Sequence, residues 1–398
     1  AATVMKTTFI SNTASGGGGA YFGFGGAATV VETTFINNTA TTNSGGGAYF
    51  VSTATVTGTT FTNNTATSNG GGGAYFFGAA TVMETTFTSN TATTVGGGAV
   101  FGDAVSVTGT IFTNNTTTNI GGGAYFSGTV SMTGTIFTNN TATAGSGGGA
   151  YFFGTANVTE TTFTSNTATT VGGGAVFGGA ATVMETTFTS NAATTVGGGA
   201  VFNGVAQVTG TTFTSNKADS GGGAYFVNAV SKKMVNTLFA GNSASVSGAA
   251  VYVNNAGPLE IIHTTIVSPT MPGGAGQAVY VVAGTVYLTN TLIATHTVGI
   301  GNAGGSIGEN YNLFSNVTTP YTGSITSGGN SLTGTAAFYN TSAYTLTASS
   351  AAIDKGTNVG VTSDYFGITR PQGAGYDIGY AEYNGPASYK LHLPLIMK

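Results

Sequence analysis

Apolar and polar positions alternate along this chain in a frame that repeats every 25 or 26 residues. The frame is marked by Phe9, Phe35, Phe61, Phe87, Phe112, Phe137, Phe163, Phe188 and Phe213. Seven and five residues before each Phe stand Ala or Val and then Val or Met, as in Ala80 and Val82, a period-two pattern that predicts a strand with one buried face. Two residues before the Phe is always Thr, as in Thr85, and three after it always Asn, as in Asn90. A Gly triplet such as Gly96 to Gly98 follows, then Ala, Tyr or Val, and Phe, which predicts a sharp corner and a further strand. No segment shows helical apolar spacing, so the short period predicts stacked coils of strand.

Stacked coils turn each repeated position into a ladder spaced about 4.8 Å per rung. The Thr, for example Thr33, Thr59 and Thr85, forms one ladder. The Asn ladder, from Asn12 to Asn216, is expected at a corner, where Asn tolerates left-handed backbone and its amides bond from coil to coil. In the Ala-Tyr/Val-Phe strand, Phe22, Phe50 and Phe76 are assigned inward because the middle position swaps freely between Tyr and Val. Tyr21, Tyr49, Tyr75, Tyr125, Tyr151 and Tyr225 then form an outward lateral strip, a candidate contact surface.

The paired motifs Phe-x-x-Asn and Gly-Gly-Ala-aromatic/aliphatic resemble the repeat of polymorphic outer-membrane proteins and related β-helix surface proteins, over residues 1 to about 250. The resemblance implies an all-β fold: a right-handed single-stranded parallel β-helix (β-solenoid) of about a dozen coils of 25–27 residues with a C-terminal clasp and tail. It implies a surface protein, structural or adhesive, while the membrane barrel of that family's autotransporters is not found in these residues. Residues 1–250 read as regular repeats. Residues 251–350 read as degenerate coils, in which TLFAGN at 237–242, TTIVSP at 264–269 and TLIATH at 291–296 keep the frame but lose Phe and then Asn. Residues 351–398 read as a C-terminal cap and apolar tail strand. There Asp354, Asp364, Arg370, Asp377 and Glu382 resemble the closing motif of bacterial β-helix proteins with a variable C-terminal anchor, and predict a charge-paired clasp over the last coil.

Charge removes several functions. Only 5% of the residues are charged, net charge is −4 and Arg370 is the single arginine, so no basic face exists to neutralise nucleic-acid phosphates. No apolar run reaches the ~18 residues of a membrane span. With no cysteine there is no disulfide, thiolate metal site or catalytic thiol. His263, His296 and His392 stand in unrelated contexts, and Lys217 with Asp219, Lys232-Lys233 and Asp103 are scattered, whereas a polysaccharide lyase needs clustered carboxylates beside a Lys or Arg base. Glu160 and Glu185 hold the same place in adjacent coils, read as two carboxylates splaying into water. The sequence therefore predicts a non-enzyme with no catalytic, cofactor or metal site.

Ala1-Ala2-Thr3-Val4 shows no signal-peptide pattern and the composition resembles exported surface proteins, so the expectation is a mature extracellular or cell-surface chain. Residues 1–12 already match the repeat, and an uncapped coil is an open sheet edge. The leading expectation is thus a structural protein that polymerises with itself head-to-tail into a surface filament or sheath. Its joint pairs the first coil (Ala2, Val4, Phe9) with the tail strand (Leu391, Leu393, Leu395, Met397) of the next copy. The alternative is an adhesin whose Tyr strip stacks on surface glycans, and a polysaccharide lyase or an ice-binding role for the flat Thr ladders follow behind.

Overall fold

The computed structural model describes residues 1–228, 230–268, 276–340 and 342–385. All regular elements among these are β-strands, and the solenoid strands pair in parallel. The fold is the expected parallel β-solenoid. The chain divides into two compact units: residues 1–204 with 216–218, and residues 205–215 with 219–398.

In the first unit every coil contributes four short strands, seen in Ala80–Met83, Thr86–Thr88, Thr91–Ala92 and Ala99–Phe101. Each lies over its equivalent one coil away without register shift, so Val82 pairs with Val56 and Val107, and Phe87 with Phe61 and Phe112. Alternation within each strand decides which side chains are inside: Ala80, Val82, Phe87, Ala92, Ala99 and Phe101 are buried, and the residues between them face outward. The interior is thus two columns of stacked phenylalanine, with centroids of Phe35 and Phe61 4.7 Å apart and those of Phe50 and Phe76 also 4.7 Å apart.

Three left-handed residues turn each coil. The first is three positions before the Phe, at Lys6, Glu32, Gly58, Glu84, Gly109, Gly134, Glu160 and Glu185, with φ between 47° and 59°. The second is not the ladder Asn, as the sequence suggested, but the residue before it: Ser11, Asn37, Asn63, Ser89, Asn114, Asn139, Ser165 and Ser190, with φ of 53–56°. The reason is division of labour. The turning residue faces water, which leaves the ladder Asn free to aim its amide inward, where Asn38 through Asn216 are fully buried.

There each amide is consumed by its neighbours. Asn90 Nδ2 donates to Phe61 O (2.9 Å) and to Asn115 Oδ1 (3.0 Å), which also accepts from Asn90 N (3.0 Å). The third corner is the Gly triplet, and its glycines answer different demands. Gly96 is left-handed (φ 61°), while a Cβ on Gly97 would meet Gly122 O at 2.3 Å and one on Gly98 would meet Gly123 O at 2.6 Å.

The second unit continues the frame with other residues. Thr212–Thr214, Leu238–Ala240, Thr265–Val267, Leu292–Ala294, Leu313–Ser315 and Leu332–Thr333 pair in succession, all parallel. In its middle coils two long strands, Val251–Ile262 and Gln277–Thr289, each run through what are separate strands elsewhere, with register shifts between Val253 and Leu259.

Candidate interaction surfaces and the buried charge cluster

The six tyrosines of the strip all lie on outward positions of the strand after the Gly corner. Tyr21 is 56% exposed and the other five are half-buried. Tyr21, Tyr49 and Tyr75 stack face to face at 5.3 and 5.1 Å with interplanar angles of 15° and 3°; Tyr125 and Tyr151 are 5.9 Å apart. In the second unit Tyr225, Tyr252 and Tyr280 form their own column. Ring faces are therefore occupied by neighbouring rings, and edges point outward. Burial, followed by neighbouring tyrosines, raises the pKa of the Tyr49, Tyr75 and Tyr151 hydroxyls.

The strip is not continuous. Val100, Val176 and Val201 stand at the same position and are buried. Each belongs to a coil whose corner carries an apolar residue, Val95, Val171 or Val196, and these corners pair in parallel as Val95 with Ile120 and Val171 with Val196. The valines tuck beside the left-handed glycine: a Cβ on Gly172 would approach Val176 Cγ2 to 2.3 Å. Ile120 holds the same corner place yet precedes Tyr125, so the outward valine goes with a corner valine and not with every apolar corner.

The first coil is in register with the second, Ala2 opposite Ala28, Val4 opposite Val30 and Phe9 opposite Phe35. Ala2 is exposed and Val4 and Phe9 are half-buried, where Ala28, Val30 and Phe35 are closed off. Leu391, Leu393, Leu395 and Met397, expected to form the tail strand, lie outside the described residues, as does His392.

The clasp residues converge in the second unit, but along the side of the stack instead of only over its last coil. Asn236, His263 and Asn290 occupy the left-handed corner position that is Lys, Glu or Gly in the first unit, with φ of 50°, 44° and 53°. The C-terminal segment bonds to these corners: Asn236 Nδ2 donates to Ser363 O (2.8 Å), Asn290 Nδ2 to Thr357 O (2.8 Å), and Gly379 N to Asn290 O (2.8 Å). It also covers the outer face of the neighbouring strands. Leu238, Ala240, Val267, Leu292, Ala294 and Leu313 are buried against Ala336, Tyr344, Leu346, Ala352, Ile378 and Tyr380. Tyr380 N reaches Thr265 Oγ1 at 3.1 Å, and its hydroxyl donates to Ala343 O. A clasp over one coil could not shield these aliphatic residues, which span several coils.

Within this strap Arg370 Nη1 donates to Glu382 Oε2 (2.6 Å) and Asp377 O (3.2 Å), and Nη2 to Gly379 O (2.8 Å). The carboxylates are engaged by backbone N–H groups: Asp364 by Phe366, Ile368 and Glu382, Asp377 by Asp354 and Tyr383, Glu382 by Gln372 and Asp377. Burial outweighs these bonds and raises Asp364 and Glu382, and pushes Asp377 up to about 7. Burial, then the Arg370 charge, lowers His263 to about 3, so its imidazole is neutral and accepts at Nε2 from Asn290 Nδ2 (3.0 Å). The cluster is a set of buried charges engaged by one another and by backbone groups, with Arg370 Nε and His263 Nδ1 without a hydrogen bond among the described residues. Among the described residues no group of three or more His, Cys, Asp or Glu is placed to hold a metal ion.

The other titratable candidates do not join it. Glu160 and Glu185 are exposed corner residues. Asp219 accepts from Ser245 Oγ at 2.5 Å, and Lys233 lies 3.6 Å from Glu260 at the surface. Burial lowers His296 to about 4; it stands three residues after Ile293, the place of the ladder Asn.

One charge read from the sequence as a scattered surface group is buried instead, and a second buried group escaped that reading. Lys232 is fully buried, donates from Nζ to Asn228 O (3.0 Å) and Val230 O (3.1 Å), and is lowered to about 8 by burial. Glu309 is buried, accepting from Asn312 Nδ2 (2.9 Å) and from the Ser331 hydroxyl, and after burial its charge is the next cause raising Tyr321. The available signal was register. Lys232 pairs with inward Ala206 and Glu309 with inward Leu288.

Residues 84–103, most of one coil from Glu84 through the Gly triplet to Asp103, match the Chlamydia polymorphic membrane protein repeat. No curated protein and no solved structure matches the chain. No helix among the described residues is long and apolar enough to cross a membrane, which leaves β-barrel spans untouched. The match supports association with an outer membrane or cell surface, and the chain is a β-solenoid protein with repeats like those of the polymorphic membrane proteins.

Proposed function

We propose that this chain is an exported, non-enzymatic structural protein of the cell surface that assembles with itself head-to-tail through coil stacking. The observation that carries this reading is the uniformity of the first unit. From Phe9 to Phe188 the same residue types recur at the same inward positions, and the buried amide column spends its hydrogen-bonding capacity on adjacent coils. Such an interior supports length and stiffness. The shifted titratable groups of the strap support structure in the same way, because backbone donors already engage their carboxylates.

Coils that pair one on the next without register shift support stacking as the mode of assembly. The glycan-stacking alternative draws less support, since the tyrosine faces are stacked on one another. Negative-stain electron microscopy across a concentration series, with a Val4→Lys variant alongside, tests the proposal. Particles that lengthen with concentration, and stop doing so in the variant, are expected. Particles of one length at every concentration would overturn self-assembly.

A further inference from the structure

The outward face of the Phe-bearing strands in the first unit has a geometry that the structural reading does not use. Parallel sheets ordinarily rotate by roughly 20–25° from strand to strand. Here the two buried phenylalanine columns report little rotation: successive rings lie 4.7–4.8 Å apart from Phe35 to Phe163 and 4.7–4.9 Å apart from Phe50 to Phe152, the rung spacing itself, which leaves little room for the sideways displacement that rotation about the stack would add. Coils related by near-pure translation make the outward positions of the same strands a planar net. Its spacing is that of the rungs in one direction and about 6.6 Å, two residues of parallel strand, in the other.

The net is filled almost entirely by one chemistry. Thr60 and Thr62, Thr86 and Thr88, and Thr162 and Thr164 flank buried phenylalanines and are half-exposed. Elsewhere along the net the only replacement is Ile, as at Ile111 beside Thr113 and Ile136 beside Thr138. These positions carry no charge. Each threonine offers a hydroxyl able to donate once and accept twice, beside a methyl that water must order around, both held by a β-branched side chain stiff at χ1.

We propose that this face binds ice. Oxygen rows on prism faces of hexagonal ice form a rectangular net of nearly this size, so hydroxyl-anchored water can be continuous with the crystal. Other occupants fit less well. A flat face offers no concavity for a small molecule, and an uncharged one offers nothing to a polyanion. The eight coils from Phe9 to Phe188 offer on the order of 300 Å² a side. A face-to-face pair of copies would bury about 600 Å², below the roughly 1,000 Å² of a stable interface. A segment like the strap of the second unit needs the aliphatic residues that threonine replaces here.

The test is thermal hysteresis and ice-crystal habit for the purified chain, for Thr88→Lys and Thr113→Lys on the face, and for Thr55→Lys, half-exposed on the Ala54–Thr57 strand. Circular dichroism confirms folding, and Thr88→Ser, which removes a single methyl, serves where a lysine does not fold. A freezing gap with faceted crystals is expected for the chain and for Thr55→Lys, reduced in Thr88→Ser and lost in the face lysines. No gap in the unaltered chain, or a gap indifferent to the face substitutions, would overturn the proposal. So would sedimentation showing a dimer that those substitutions dissociate, which makes the face an interface between copies.

Discussion

The strand that carries the buried phenylalanine exists in two versions. In the first unit it reads Thr-Phe-Thr, as in Thr86–Thr88, with flanking residues half-exposed. In the second, after Thr212–Thr214, it reads Leu-Phe-Ala, Thr-Ile-Val, Leu-Ile-Ala and Leu-Phe-Ser, with all three residues buried. Backbone pairing is the same; the difference is a second layer, the strap of residues 336–383. Loss of period-two alternation in a solenoid strand therefore means that something covers it. Sequence decay is a poor description of coils whose every outward residue has gained a partner.

Charge is where the two units should separate most. Replacing Arg370 by Ala leaves Glu382, Asp364 and Asp377 buried without their cation, at a cost of about 3–5 kcal/mol. Hydrogen exchange should rise along residues 352–383 and at the corners of Asn236, His263 and Asn290, while amides of residues 28–190 keep their protection. Equal loss in both units would show that the strap is not a local layer.

A smaller effect comes from exchanging the two versions of the strand. Leu292→Thr writes the exposed pattern into a covered strand and should cost about 2–3 kcal/mol, as lost apolar burial with a hydroxyl placed in it. Thr88→Leu makes the reverse change on an open face and should shift stability by no more than about 0.5 kcal/mol. Denaturant midpoints of the two variants check both figures; equal effects would break the comparison.

Smallest is the response to pH. Asp377 is raised from an ordinary carboxyl value to about 7, so the folded strap holds a proton that the unfolded chain releases. Its contribution is full below about pH 4 and is lost as pH rises through 7. His263, lowered to about 3, acts oppositely, its contribution being present above about 6.5 and lost on acidification. Asp377→Asn should therefore remove the decline in stability that this carboxyl imposes between about pH 4 and 7, so that the rise with pH set by His263 emerges over the same range. Exchange at Tyr380 and Tyr383 amides across that range measures it, and an unchanged decline would remove Asp377 as its source.

Much of this was legible in the sequence. Phe87, Val82 and Ala99 announced their burial by position alone, because identical coils average out local ambiguity. The charge-paired character of Arg370 and Glu382 was readable from one arginine among carboxylates. What was not legible depended on neighbours far apart in the chain. Nothing near Asn236 or Asn290 says that Ser363 and Thr357 will reach them, at separations of 127 and 67 residues. The left-handed role fell on Ser89 and not on Asn90 because only one of two adjacent polar residues can turn the backbone while the other reaches inward. Lys232 and Glu309 were hidden because the later coils lose the Phe and Asn marks by which inward positions are recognised, and only the strand register places them opposite Ala206 and Leu288.

The asparagine column has one more implication. In every pair the earlier coil donates and the later coil accepts, from Asn12 giving to Asn38 through to Asn191 giving to Asn216. Side-chain dipoles aligned in one sense polarise each other cumulatively. The stack is consequently an arrow: a coil added in the same direction extends the column, whereas one added in reverse brings acceptor against acceptor or donor against donor. Any polymer grown on this interior is vectorial, with two chemically different ends.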